Sequence, residues 1–142
     1  MHGMHCVLVA DEVQIAGISG GNQPAFTSNG DIVVANFRQD TVHIVAGATG
    51  AMLHTFGTQG ADPMQFNSPY GVCVSRNDSV LIAEYSNNRI QEVANLGRAG
   101  KAKLLCLGLL QHPTYVALTP SEDAIVVRQR SCLLYTSPSP RD

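Results

Sequence analysis

The chain has 142 residues, a net charge of −2 and only 14% charged side chains. That balance excludes a densely basic face of the kind that grips nucleic acid by charge alone. Apolar content of 44% suits a packed core, and without Trp that core must be built from Val, Ile, Leu and Ala.

Residues 1–22 form a ragged leading segment. Its stretch "VLVADEVQI" resembles a strand–turn–strand element met later, but Ala10 lies only 25 residues before the matching Ala35. It is read as the remnant of an earlier unit. Residues 23–66 hold the first legible unit. Here "GDIVVANFRQDTVHIV" (30–45) superposes on "DSVLIAEYSNNRIQEV" (78–93) at an offset of 48, placing Ala35 on Ala83, Asn36 on Glu84, Phe37 on Tyr85 and Val42 on Ile90. The start is degenerate: Pro24 precedes Ala35 by 11 residues, whereas Pro69 precedes Ala83 by 14.

Residues 67–110 are the best copy. Strands are predicted at 70–75, 80–85, 89–93 and 103–107, short β-branched and aliphatic runs punctuated by Gly, Asn, Asp and Pro. Residues 111–131 open a further copy at an ungapped offset of 44. Pro69 matches Pro113, Val72 matches Val116, and Leu81-Ile82-Ala83 falls on Ile125-Val126-Val127. Four-strand units of 40–50 residues are the signature of β-propeller blades. The fold class is therefore all-β, a partial propeller of about two and a half four-stranded antiparallel blades.

Residues 132–142 break the pattern. A third strand like "RIQEV" is due, and "CLLYTSPSPRD" stands in its place. Its back-translation resembles a transposase-end adapter used in library preparation, so the segment is expected to be a non-native tail and the chain a fragment ending within a blade. Such a fragment would leave blade faces and strand edges open and is expected to self-associate.

The stretch 56–93, "FGTQGADPMQFNSPYGVCVSRNDSVLIAEYSNNRIQEV", resembles an NHL repeat. The positions that carry the resemblance are Phe56-Gly57, Gly60, Gln65-Phe66-Asn67, Pro69-Tyr70-Gly71-Val72, Ala83-Glu84 and Asn88-Arg89-Ile90. It implies a propeller, commonly six-bladed. Within it Phe66 should plug the gap between neighbouring blades, and Gly57, Gly60 and Gly71 suit positive φ or close backbone approach. Glu84 and Arg89 should form a partly exposed pair across a turn, worth only about 0–1 kcal/mol.

The resemblance also implies candidate chemistries. Amidating lyases with this repeat hold zinc through histidines, but His2, His5, His43, His54 and His112 do not recur at equivalent positions, so they read as surface or loop residues. Related lactonases hold calcium through Glu, Asn and Asp. Glu84, Asn36, Asn87 and Asn88 are the nearest candidates, and their repeat positions explain them as turn residues. No GxSxG elbow or phosphate loop occurs. The four cysteines, Cys6, Cys73, Cys106 and Cys132, show no CxxC or zinc spacing and read as reduced thiols.

No stretch approaches the roughly 20 apolar residues that span a bilayer, and no signal peptide is evident. The expected compartment is cytoplasmic, with no membrane partner, no cofactor and no small-molecule substrate evident. The expected function is a non-catalytic protein-interaction scaffold, with a protein or peptide docking on the loops between strands two and three. Phe37, Arg38, Gln39, Tyr85, Asn87, Asn88 and Arg89 should line that face. One alternative is a propeller enzyme, lyase-like or lactonase-like, whose site lies in missing blades. The other is RNA binding, suggested by Arg38, Arg89, Arg128 and the group Arg98, Lys101 and Lys103, against which Asp40, Glu84 and Glu92 are interleaved.

Overall fold

The structure is a computed structural model that describes residues 24–94 and 100–129, and the backbone of 132–136. The first blade pairs β1 (Ala25–Phe26), β2 (Ile32–Asn36), β3 (Thr41–Val45) and β4 (Met52–Phe56) as an antiparallel meander. A loop follows, held by a short parallel pairing of β5 (Thr58–Gln59) with β6 (Gln65–Phe66). The second blade comprises β7 (Pro69–Val74), β8 (Val80–Glu84), β9 (Arg89–Ala94) and β10 (Lys101–Leu105). The third comprises β11 (Pro113–Leu118), β12 (Ile125–Gln129) and β13 (Cys132–Thr136). The described residues contain no helix.

Two expectations change. The fourth strand of the second blade begins at Lys101, two residues before the predicted start, because Lys101 pairs with Ala94 and the ladder ends at Leu105 opposite Ile90. The predicted tail supplies β13, with Cys132 opposite Gln129 and Thr136 opposite Ile125. The backbone groups along the outer side of β12 accept any strand-forming segment, and "CLLYT" is one.

Two apolar layers join the blades. Alternation along β8 sends Val80 and Ile82 toward the first blade, where they meet Val33, Ala35, Val42 and Ile44. Leu81 and Ala83 face the third, against Val116, Ile125 and Val127. Buried on both faces, β8 reads as an unbroken apolar run rather than an alternating one. Phe66 sits fully buried in the first layer, edge-on to Phe56 at 6.1 Å, and fills the gap between blades as expected. Leu110, its partner at the 44-residue offset, occupies the second layer.

Polar clasps repeat beside these layers. Asp40 ends the β2–β3 turn with φ 56° and accepts from the Ser68 amide at 2.7 Å. One blade on, Asn88 (φ 53°) accepts from the His112 amide at 2.9 Å. At the other end of the blades, Asp78 (φ 61°) accepts from the Ser28 amide at 2.9 Å, and Glu122 (φ 59°) from the Arg76 amide at 2.8 Å. Positive φ is uncommon in non-glycine residues, and each recurs here at its repeat-equivalent position. The left-handed turn residue thus aims a side-chain acceptor at the adjoining blade.

Asp40→Ala is accordingly expected to destabilise by about 1.5–3 kcal/mol, the range for a hydrogen bond to a charged group. Asp40→Asn should recover most of that loss, since Asn88 performs the same task with an amide. Urea midpoints of the two variants check this, and equal damage from both would contradict it.

Candidate functional site

The end of the blades that carries the turns between second and third strands holds an internal network and an outer surface. The network is built on the second blade. Glu84 and Arg89 face each other across the β8–β9 turn, with Arg89 Nε donating to Glu84 Oε2 at 2.7 Å. This pair is buried, not partly exposed as its turn position suggested: Arg89 is 3% accessible and Glu84 0%. The burial comes from the loop at 60–67, which folds over the pair.

Arg89 also donates to the carbonyls of Ala61 (2.5 Å) and Gln65 (3.0 Å). Gln91 donates to Gln65 O and to Glu84 Oε2, each at 3.0 Å, and accepts from the Met64 amide at 2.7 Å. Asn87 bridges Glu84 Oε1 and Gly60 O, both at 2.7 Å. Arg89, Gln91 and Asn87 each donate to carbonyls of the loop and so moor backbone that would otherwise be exposed. Such a set orders the loop.

The first blade repeats the arrangement with neutral residues. Asn36, Thr41 and His43 stand where Glu84, Arg89 and Gln91 stand. His43 is not a surface histidine: it is 4% accessible, with Nδ1 2.8 Å from Thr55 Oγ1 and Nε2 3.2 Å from Thr41 Oγ1. Burial holds its imidazole below the ordinary value of 6.5. The unfolded chain therefore takes up a proton that the folded chain refuses, so stability is full above about pH 6.5 and declines as the pH falls through that value. His43→Gln, which installs the residue found in the second blade, should flatten this part of the profile. Denaturant midpoints at about pH 7.5 and about pH 5.5 measure it, and an unchanged slope in the variant would contradict the assignment.

The outer surface is a row of rings running across three blades. Phe37 packs on Tyr70 at 5.0 Å between centroids, Tyr70 on Tyr85 at 5.2 Å, and Tyr85 on His112 at 4.3 Å. The last two pairs are stacked within 24°. The Arg38 guanidinium lies 5.6 Å from the centre of the Phe37 ring, a cation–π contact that keeps the cation at the surface. The His112 ring is fixed by Nδ1, 3.1 Å from the Tyr85 carbonyl. Tyr70 projects from a slip in the β7–β8 register between Pro69 and Val72. Gly71 lies within that slip without positive φ, whereas Gly57 and Gly60 do adopt it.

The seven expected face residues thus separate. Phe37, Arg38, Gln39 and Tyr85 come together at the surface, Arg38 and Gln39 exposed and the two rings half-buried. Asn87 and Arg89 belong to the internal network, and Asn88 to the clasp on His112. Tyr70 and His112 join the row without having been expected there. The one signal for them was position: both stand at the entrance of a first strand, beside Pro69 and Pro113.

Among the described residues no group of three or more His, Cys, Asp and Glu comes together to hold a metal. His2, His5, Cys6 and Arg98 lie outside the described residues. The Cys73 thiol is pushed up to about 12, by burial first and then by Glu122 and Glu92, which makes it an inert core thiol. Lys101 and Lys103 lie along the outer strand β10, not in one loop. At the opposite end of the blades a polar recess is lined by Thr27, Asn29, Asp31, His54 and Asp78.

Residues 66–92 match the family model of the NHL repeat. No curated protein sequence matches the chain. Among solved structures, the gluconolactonase XC5397 of Xanthomonas campestris superposes with a TM-score of 0.63 at 14% identity, over 87% of this chain and 39% of its own. The hydrazine synthase of Kuenenia stuttgartiensis gives 0.65 at 10% identity, over 92% and 38%. A virginiamycin B lyase of Staphylococcus aureus gives 0.57 at 16%, over 84% and 42%. These likenesses establish the β-propeller fold. The chain spans about two fifths of the length of each of these structures.

Proposed function

We propose that this chain, which carries an NHL repeat within a partial β-propeller, is a non-catalytic scaffold that binds a protein or peptide on the end bearing the Phe37–His112 row. The observation that carries this reading is the row itself, four half-buried rings on one surface with Arg38 and Gln39 exposed beside them. Half-exposed aromatic rings with an adjacent Arg are the side chains that anchor interfaces, because they supply large contact area at low entropy cost. The clasps and the buried network hold the turns rigid, so little ordering remains to oppose binding.

The test is selection of a displayed random-peptide library on the chain. Enriched peptides should bind the wild type and lose about tenfold or more in affinity on Tyr85→Ala. No enrichment, or peptides indifferent to Tyr85→Ala and sensitive instead to substitutions around Asn77, would overturn the reading.

The runner-up is catalysis by a longer propeller of which this chain is part. It draws on the fold shared with a gluconolactonase and a virginiamycin B lyase. Substrate turnover by a protein containing these blades, abolished by a substitution within them, would favour it.

A further inference from the structure

We infer that Asn29 is a site of spontaneous deamidation, with the Gly30 nitrogen as nucleophile, and that its conversion loosens the joint between the first two blades. The β1–β2, β7–β8 and β11–β12 turns share one design, and the first departs from it at one residue. In each, the amide of the left-handed residue donates to a carbonyl earlier in the turn: Gly30 to Thr27 at 3.0 Å, Asp78 to Ser75 at 3.0 Å and Glu122 to Thr119 at 2.8 Å. The residue before it is Asn29, Asn77 or Ser121. Asp78 and Glu122 then reach the adjoining blade with their carboxylates, whereas Gly30 has no side chain to reach with.

The chemistry follows from that exchange. Asn29 is the one asparagine of the sequence that precedes a glycine. Attack by the Gly30 nitrogen on Asn29 Cγ forms a C–N bond and closes a succinimide ring, while the side-chain nitrogen leaves as ammonia with the amide proton. Water then adds to either carbonyl of the ring and opens it to aspartate or isoaspartate, with no redox change. Both residues are exposed, Gly30 has φ 89°, and a Cβ built on it would meet nothing within 4 Å. Negative charge develops on Asn29 Oδ1 during the attack. That atom already accepts from Thr27 Oγ1 at 2.5 Å and from the Asp31 amide at 3.4 Å.

The second blade supplies the comparison within the same molecule. Asn77 Oδ1 accepts from Ser75 Oγ at 2.5 Å, and the Asp78 amide makes the same turn bond as Gly30. That bond has to open before either nitrogen can attack. Asp78 resists opening because its carboxylate holds the Ser28 amide at 2.9 Å and the Ser28 hydroxyl at 2.5 Å. Glycine has no such restraint, and its backbone is the freest of any residue.

The damage falls on this clasp. Aspartate in place of Asn29 adds a carboxylate to the recess that Asp31 and Asp78 already line, and like charges repel. Isoaspartate lengthens the main chain by a methylene inside a turn closed by the Thr27 amide on Asp31 O at 2.9 Å. Ser28, within that turn, is then displaced from Asp78.

The experiment holds the full chain in mildly alkaline buffer at body temperature for several weeks. Each asparagine is followed by peptide mass spectrometry, and an isoaspartyl methyltransferase is the probe for isoaspartate. Asn29 should convert several-fold faster than Asn77. The converted chain should melt about 2–8 °C lower, the shift that accompanies loss of one such hydrogen-bonded contact. Gly30→Asp, which installs the residue of the second blade, should bring the Asn29 rate down to that of Asn77. Asn29→Ser, which installs the residue of the third blade, should abolish the fall in melting temperature. Circular dichroism monitors folding, and should Gly30→Asp unfold, the wild-type comparison of Asn29 with Asn77 still decides.

An Asn29 rate no greater than that of Asn77, or conversion seen only after denaturation in urea, would overturn the site. Full conversion with an unchanged melt would overturn its effect on the blade joint.

Discussion

Replacing Arg89 by leucine is expected to destabilise the chain by about 3–5 kcal/mol, the cost of breaking a buried ion pair from one side. Leucine leaves the Glu84 carboxylate inside with no cation, and it strips the Arg89 donors from the carbonyls of Ala61 and Gln65, the second of which keeps only Gln91. Glu84 would retain amide donors from Gln91 and Asn87, which solvate the charge without neutralising it. Since small domains are stable by only about 5–15 kcal/mol, the loss should remove a large fraction of the chain's stability. Exchanging both partners for apolar residues should cost less than Arg89→Leu alone, because no uncompensated charge then remains buried. A denaturant melt of the single and double variants decides the matter. A single-variant loss below about 1 kcal/mol would mean that the pair behaves as an exposed one.

Phe66→Ala is the second large effect, expected at about 3–5 kcal/mol as a fully buried aromatic is removed from a layer formed by two blades. The site cannot collapse readily, because Val33, Val42, Val72 and Ile82 around it are held by two separate ladders. Gly57→Ala tests the same site from the other side. Gly57 has φ 104°, and a Cβ there would lie 2.3 Å from the Phe66 ring. The ring must then leave its seat, so the variant should lose Phe66 packing as well as adopt a strained backbone. Both variants should lower the melting temperature, and a Phe66→Leu variant should fall between them and the wild type.

Much of this fold is legible from residues alone. The offsets of 44 and 48 place the second blade, and the runs at β7, β8 and β9 can be bounded to within a residue or so. Phe66 declares itself as an apolar residue stranded in a polar loop. The site is harder to read, for physical reasons. Glu84 and Arg89 look like turn charges because nothing local says that residues 60–67 will cover them; burial there is a tertiary property. Asn87 and Asn88 have the composition of a polar surface, yet their side chains face Gly60 and His112 across long sequence separations. His43 hides for the same reason, its partners being Thr41 and Thr55 on two strands. The ring row joins residues 37, 70, 85 and 112, and only the stacking of blades brings them together.

The most direct test of where this chain binds is amide chemical-shift mapping of the full chain titrated with a library-selected peptide. The amides of Arg38, Ser86, Leu107, Leu109 and His112 should shift together, while those of Ser28, Asn77 and Asp123 stay in place. Shifts confined to Ser28, Asn77 and Asp123 would put the binding surface at the opposite end of the blades and contradict the proposal.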